Sequence, residues 1–383
     1  MSVTAPLGFR AAGVAAGIKN SGKPDVAVVI NDGPQAAAAG VFTSNRVKAA
    51  PVRWSQQAIE DGRLRAVVLN SGGANACTGP AGYTDAVRTA EHLAKLLDVP
   101  ASDVAVCSTG LIGDRLPMHR LLVGVDAAVV GASVNGGATA ATAIMTTDTV
   151  PKTCVMHGDG YQIGGMAKGA AMLAPALATM LVVLTTDADL AASDLDKALH
   201  GAVRTTFDRL DSDGCMSTND TVLLLASGAS GVQPDPAEFA WLLAAVCDDL
   251  AGQLLLDAEG ATKAISIQVV GADSEDDAVA VGRAVARSSL FKCAIAGEDP
   301  NWGRILAAVG TTDAVFDADQ INVAINGVWV CENGARGQSR SNVDLHSRDV
   351  SVVVDLSAGP AAATVRTTDL TAAYVHENSA YST

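Results

Sequence analysis

Residues 173–187 form an almost wholly apolar run, LAPALATMLVVLTTD, in which Thr179 follows Ala178 and precedes Met180-Leu181-Val182-Val183. A threonine at the head of a strand needs no special reason, because β-branched residues favour strands. It also has a chemical use. A threonine hydroxyl without a histidine partner becomes a nucleophile when its own α-amine acts as base. An α-amine titrates at roughly 7.7–8.0, well placed to take a proton at neutral pH. That use requires the peptide bond between Ala178 and Thr179 to be broken. The hydroxyl can break it by attacking the Ala178 carbonyl: an N-to-O acyl shift makes an ester, and water cleaves the ester. The small side chains of Ala176 and Ala178 leave the backbone room to bend into that geometry.

Several other stretches hold polar residues at a density that folding alone does not require. LNSGGANACTG (69–79) and CSTGLIG (107–113) each follow an apolar run. Glycine-rich turns of this kind let backbone N–H groups point at one spot, as an oxyanion needs. IMTTDTVPK (144–152) offers hydroxyls and a carboxylate, and GGMAKGAAM (164–172) places Lys168 among small residues, 11 positions before Thr179. DSDGCMSTND (211–220) and DAEGATK (257–263) are acidic loops that would ordinarily be solvated turns. The chain has no GxxxxGK[ST], GxGxxG after a strand, HExxH or GxSxG, so nucleotide, zinc and serine-hydrolase readings lack a motif. No Cys/His spacing suits a metal.

These residues need a scaffold, and the sequence predicts a layered α/β or α+β chain with mixed sheets. Strands are expected over 25–30, 65–70 and 103–107, and again over 263–270, 321–325, 350–356 and 361–368. A helix is expected over 84–97, with Val87, Ala90, Leu93, Ala94 and Leu97 on one face. Another starts at Asp235 as N-cap, with Pro236 at its first position and Glu238 completing a capping box. Its stripe of Phe239, Leu242, Leu243, Val246, Leu250 and Leu254 reads as core-facing. A third spans 274–287 behind Ser274, with acid in its first turn. The 383 residues carry a net charge of −15 and no Lys/Arg cluster, which argues against nucleic-acid and anionic-membrane partners. The apolar runs read as shorter than a membrane-spanning helix of roughly 20 residues. The first 17 residues lack a basic segment ahead of an apolar core, so no secretory leader is expected. Seven scattered cysteines read as reduced thiols in a cytoplasmic protein.

Taken together these stretches resemble the ornithine acetyltransferase family, the glutamate N-acetyltransferases of arginine biosynthesis. The resemblance is carried in order by VFTSNRVKAAPV (41–52), LNSGGANACTG, STGLIG (108–113), IMTTDTVPK, GGMAKGAAMLAPALATML (164–181), STNDT (217–221), DAEGATK, GEDPNWGRI (297–305) and YVHENSAYST (374–383). It implies a layered αββα-type sandwich similar to N-terminal-nucleophile hydrolases, with connectivity of its own. It implies self-cleavage between Ala178 and Thr179, giving an α chain (1–178) and a β chain (179–383) assembled as an α2β2 heterotetramer. Thr179 is then the nucleophile, its freed amine the base, and Thr109 with Gly110 the oxyanion-hole pair. Lys168, Thr179, Glu259, Asn378, Thr383 and one of Thr146 and Thr147 bind substrate. The chemistry suits these roles: Glu259 can meet the side-chain amine of ornithine, and Lys168 a substrate carboxylate.

The implied activity moves acetyl from N2-acetylornithine to Thr179 and then to glutamate, with no metal and no resident cofactor. No residue decides whether acetyl-CoA also serves as donor, which would make the enzyme bifunctional. The other reading is a self-cleaving N-terminal-nucleophile aminopeptidase or amidohydrolase, which hydrolyses and does not transfer. Where the family often has DTSTND, this chain has Gly214-Cys215-Met216 before Ser217, a departure that bears on fine specificity and not on the reaction.

Overall fold

The computed structural model describes residues 2–171 and 180–380, so Ala178, Thr179 and Thr383 lie outside the described residues. The chain divides into two units: Met1–Asp208 with Met216–Asp257, and Arg209–Cys215 with Ala258–Ser382. Strands from both sides of the bond between residues 178 and 179 share one sheet of the first unit.

The first unit holds strands β1 (Phe9–Val14), β2 (Val26–Asn31), β3 (Ala37–Phe42), β4 (Ala66–Asn70), β5 (Val104–Ser108), β6 (Lys152–His157), β7 (Gln162–Lys168), β8 (Leu181–Thr186) and β9 (Thr221–Ala226). Its helices are α1 (Ala50–Ala58), α2 (Gly79–Leu97), α3 (Met118–Gly131), α4 (Gly137–Ala143), α5 (Ala192–Thr205) and α6 (Pro236–Leu256). One sheet runs β1-β2-β4-β5 and the other β3-β9-β8-β7-β6, each with a single parallel pair, β4/β5 and β8/β9.

Strand alternation explains the layering. Ala27, Val29, Val67, Leu69, Ala105 and Cys107 of the first sheet share one buried cluster with Met166, Leu181, Val183, Leu223 and Leu225 of the second. The alternate residues Val26, Val28, Ala66, Val68, Val104 and Val106 turn the other way, onto Ala90 and Leu93 of α2 and Leu121 and Val125 of α3. On the outer face of the second sheet Val182, Leu184, Val222 and Leu224 are buried, with α5 against β3 and α6 against β6 and β7. The order helix, sheet, sheet, helix is the expected αββα sandwich. Strands this apolar on both faces are covered on both sides, as fully buried strands must be.

Helix α6 begins where its cap predicts: one Asp235 carboxylate oxygen accepts from the amides of Ala237 and Glu238, both at 3.0 Å. At 21 residues and a mean hydropathy of 1.5 it is long and apolar enough to cross a membrane, against the expectation that every apolar run is too short. All six residues of its predicted stripe are buried within the unit, which accounts for that composition.

The second unit is a mixed sheet of β10 (Ala264–Ala272), β11 (Asn322–Ile325), β12 (Val328–Glu332), β13 (Ala335–Arg336), β14 (Asp349–Asp355) and β15 (Ala361–Thr368), in the order β13-β12-β11-β14-β10-β15. Helices α7 (Glu275–Ala286), α8 (Ser289–Ala296), α9 (Trp302–Val309) and α10 (Ala372–Ala380) complete it. Ile265, Ile267 and Val365 of the sheet pack with Ala278, Val281 and Val285 of α7. Ser274 caps α7 by accepting from the Asp277 amide at 3.1 Å, as its sequence predicts.

Candidate active site

In the first unit the two glycine-rich stretches become adjacent turns at the ends of β4 and β5. The Thr109 amide donates to the Asn70 carbonyl and the Gly73 amide to the Thr109 carbonyl, both at 3.0 Å. Side-chain amides fix the turns further. Asn70 Nδ2 donates to the Gly73 carbonyl at 2.9 Å, and Asn219 Nδ2 spans the carbonyls of Ala74 at 2.7 Å and Ser108 at 2.8 Å. Gly110 has φ +132°, and a Cβ there would stand 2.7 Å from the Gly73 nitrogen, so no other residue fits the turn. The Thr109 N–H is thus committed, and the groups this pair can offer a ligand are its hydroxyl and the Gly110 N–H.

Lys168 ends β7, and its side chain is only 1% exposed. Its Nζ lies 3.2 Å from Thr109 Oγ1, a contact across 59 residues of sequence. A buried ammonium must be partnered, and here the first-unit loops supply the charges. Asp148 accepts from the amides of Gly169 at 2.7 Å and Thr146 at 2.9 Å, and from Lys152 Nζ at 2.6 Å. Lys152, itself fully buried, also reaches Asp257 at 2.5 Å. Burial opposes the Asp148 charge, but Lys168, Lys152 and the Gly169 amide outweigh it and hold the carboxyl down at about 2. Thr146 and Thr147 are both half-buried, and Thr146 is held by its amide.

Two further groups join this region. Asp220 is fully buried, and its Oδ1 accepts the Met180 amide at 3.0 Å. Burial drives its pKa well above the carboxylate range, against the Met180 amide, Lys168 and Ser217. Lys19 donates from Nζ to the carbonyls of Met145 at 2.6 Å and Pro24 at 3.0 Å. Burial pushes its ammonium down to about 8, with Asp25 and Asp148 opposing and Lys168 and Lys23 reinforcing the shift.

In the second unit Asn378 Nδ2 donates to Glu259 Oε2 and to the Tyr374 carbonyl, both at 3.0 Å. The loop carrying Glu259 is fastened to α10 through the Thr371 hydroxyl, which donates to the Gly260 carbonyl at 2.6 Å. Gly260 has φ +62°, and a Cβ there would strike the Tyr374 backbone.

Of the predicted residues, Thr109, Gly110, Thr146 and Lys168 therefore belong to one framework in the first unit, with Thr147 next to Thr146 in the chain, and Glu259 and Asn378 to one hydrogen-bonded pair in the second. Asp148, Lys152 and Asp257 fall in stretches the sequence singled out; Asp148 and Lys152 are four residues apart, but the contact of Lys152 with Asp257 spans 105 positions. Lys19 was missed, since a lone lysine after Gly17-Ile18 carries no pattern. Among the described residues, no group of three or more His, Cys, Asp or Glu could hold a metal ion.

The first unit thus sets a buried lysine against a threonine hydroxyl, framed by two glycine-rich turns inside an αββα fold. Residues 10–383 match the model of the ArgJ family. The chain is 71% identical over 383 residues to the arginine biosynthesis bifunctional protein ArgJ of Thermobifida fusca, and 66% identical over 382 residues to that of Streptomyces avermitilis, covering 100% of both chains in each case. Among solved structures it is similar to ornithine acetyltransferase from Mycobacterium tuberculosis complexed with ornithine, at 60% identity and a TM-score of 0.45, over 47% of this chain and 96% of that one. The chain belongs to the ArgJ family and is an enzyme of that family.

Proposed function

We propose that this enzyme transfers acetyl from N2-acetyl-L-ornithine to L-glutamate through an acetyl-Thr179 intermediate, after cutting itself between Ala178 and Thr179. Thr179 Oγ attacks the acetyl carbonyl, and the freed α-amine takes the hydroxyl proton. The Thr109 hydroxyl and the Gly110 N–H stabilise the developing oxyanion, with Lys168 donating into Thr109. Ornithine leaves with the proton. The amine of glutamate then attacks the ester, giving N-acetylglutamate and restoring Thr179. Lys168 and one of Thr146 and Thr147 hold substrate. Glu259, Asn378 and Thr383 bind it as well, the Glu259 carboxylate suiting the side-chain ammonium of ornithine. The 1–178 and 179–383 chains assemble as an α2β2 heterotetramer in the cytoplasm.

The observation that carries this reading is the 3.2 Å contact between Lys168 Nζ and Thr109 Oγ1 beside the obligatory Gly110, in a chain that matches the ArgJ family over residues 10–383. A donor placed where charge develops lowers the barrier by roughly 3–4 kcal/mol.

Intact-mass analysis of purified enzyme is expected to give two species split at residue 179, and Thr179→Ala a single inactive chain of 38.7 kDa. Acetyl transfer to glutamate, assayed separately from N-acetylornithine and from acetyl-CoA, tells a one-donor enzyme from a two-donor one. Release of free acetate without any dependence on glutamate would turn the assignment towards a hydrolase.

A further inference from the structure

Lys19 has no place in the cycle above, yet its surroundings are built around it. Asp25 is fully buried and gathers the backbone of this segment. It accepts from the amides of Ala16 and Ile18 at 2.6 Å and of Lys19 at 2.9 Å. The main chain at Lys19 is thereby fixed, and the direction of its side chain with it.

At the other end, Nζ bonds the carbonyls of Pro24 and Met145, which occupy two of its three N–H groups. The third has no acceptor among the described residues, and the side chain is half-buried. Met145 is the residue before Thr146. The Thr146 amide is tied through Asp148 to the amide of Gly169, next to Lys168. Lys19 is therefore joined by two hydrogen-bonded links to the segment that carries Lys168, and the two ammonium groups repel each other.

An ammonium that is oriented and half-desolvated, with one donor unused, binds carboxylates well: the charge-assisted bond is strong and little ordering remains to be done. We infer that Lys19 supplies a second ammonium, beside Lys168, for the α-carboxylate shared by N-acetylornithine and glutamate. The inference rests on the acetyl-transfer reading above and adds to it a residue for substrate recognition. Lysine at 19 suits the task better than arginine, since two of its donors are spent on carbonyls converging from different loops and a compact head reaches both.

Kinetics of Lys19→Met test this against the α-carboxamide analogue of N-acetylornithine, with processing checked by intact mass. The variant is expected to raise KM for N-acetylornithine and glutamate about 10-fold with kcat within roughly 3-fold, the size of one lost charge-assisted bond. Wild type should disfavour the carboxamide by a clearly larger factor than Lys19→Met does, because in the variant only Lys168 remains to distinguish carboxylate from amide. An unchanged KM, or full discrimination against the amide in Lys19→Met, overturns the inference. If Lys19→Met does not fold, the same analogue comparison in Lys19→Gln decides it. An active Thr179→Ala enzyme would instead overturn the underlying reading, whatever Lys19→Met does.

Discussion

The two polar clusters are built on opposite principles. In the first unit Lys168, Lys152 and Asp148 have almost no contact with water, and Asp148 accepts from two backbone amides and a lysine. In the second unit Glu259 and Asn378 meet at the surface, on a loop and a terminal helix, through one hydrogen bond and a backbone contact. Where charge is buried, each member is indispensable to the others, since removing one strands its partner in low dielectric. Where the pair is solvated, water replaces whatever is lost. The first cluster should therefore respond to substitution in stability and chemistry together, and the second chiefly in substrate affinity.

Asp148→Asn presses hardest on that contrast. It leaves Lys152 and Lys168 short of a buried counter-charge and should cost about 3–5 kcal/mol in urea unfolding. Acid sharpens it. The Asp148 carboxyl is held near 2, below its value in an unfolded chain, so its contribution is complete above pH ~4 and is lost as the pH falls towards 2. Unfolding of Asp148→Asn should lack that part of the acid dependence.

Next in size, Gly110→Ala forces a Cβ to within 2.7 Å of the Gly73 nitrogen at φ +132°. Moving the turn displaces the Gly110 N–H, so kcat should fall by roughly 10²–10³, with circular dichroism unchanged. Asn378→Ala is expected to do least: a KM rise of a few-fold, with stability altered by less than about 1 kcal/mol. A stability loss in Asn378→Ala as large as that in Asp148→Asn would remove the distinction between the two clusters.

Much of the scaffold was legible because its signals are local. Asp235-Pro236 announces α6, Ser274 announces α7, and the apolar runs at 65–70 and 103–107 become β4 and β5 within a residue. Strand β7 was not legible. Gly164 and Gly165 make it read as a loop, yet it pairs on both sides. The glycines are there for want of space: a Cβ at Gly164 would strike the Ser2 carbonyl, and one at Gly165 would come within 2.9 Å of Leu184 and Leu250.

The site was legible as a set of residue types and not as contacts. Nothing in local pattern pairs Lys168 with Thr109, or Lys152 with Asp257 across 105 positions. Asp25 looks like the start of a strand, and only the fold reveals it gripping the loop that aims Lys19.

The order β3-β9-β8-β7-β6 has a consequence for any break in residues 172–179. Strands β8 and β9 come after such a break and β3, β6 and β7 before it, so the later pair is hemmed in by earlier strands on either flank. Six residue pairs join Lys168↔Leu181 to Ile163↔Thr186 on one side, and six join Phe42↔Thr221 to Ala37↔Ala226 on the other. The pieces would be interleaved like clasped fingers: a nicked molecule should run as one species through any native column and separate only in denaturant.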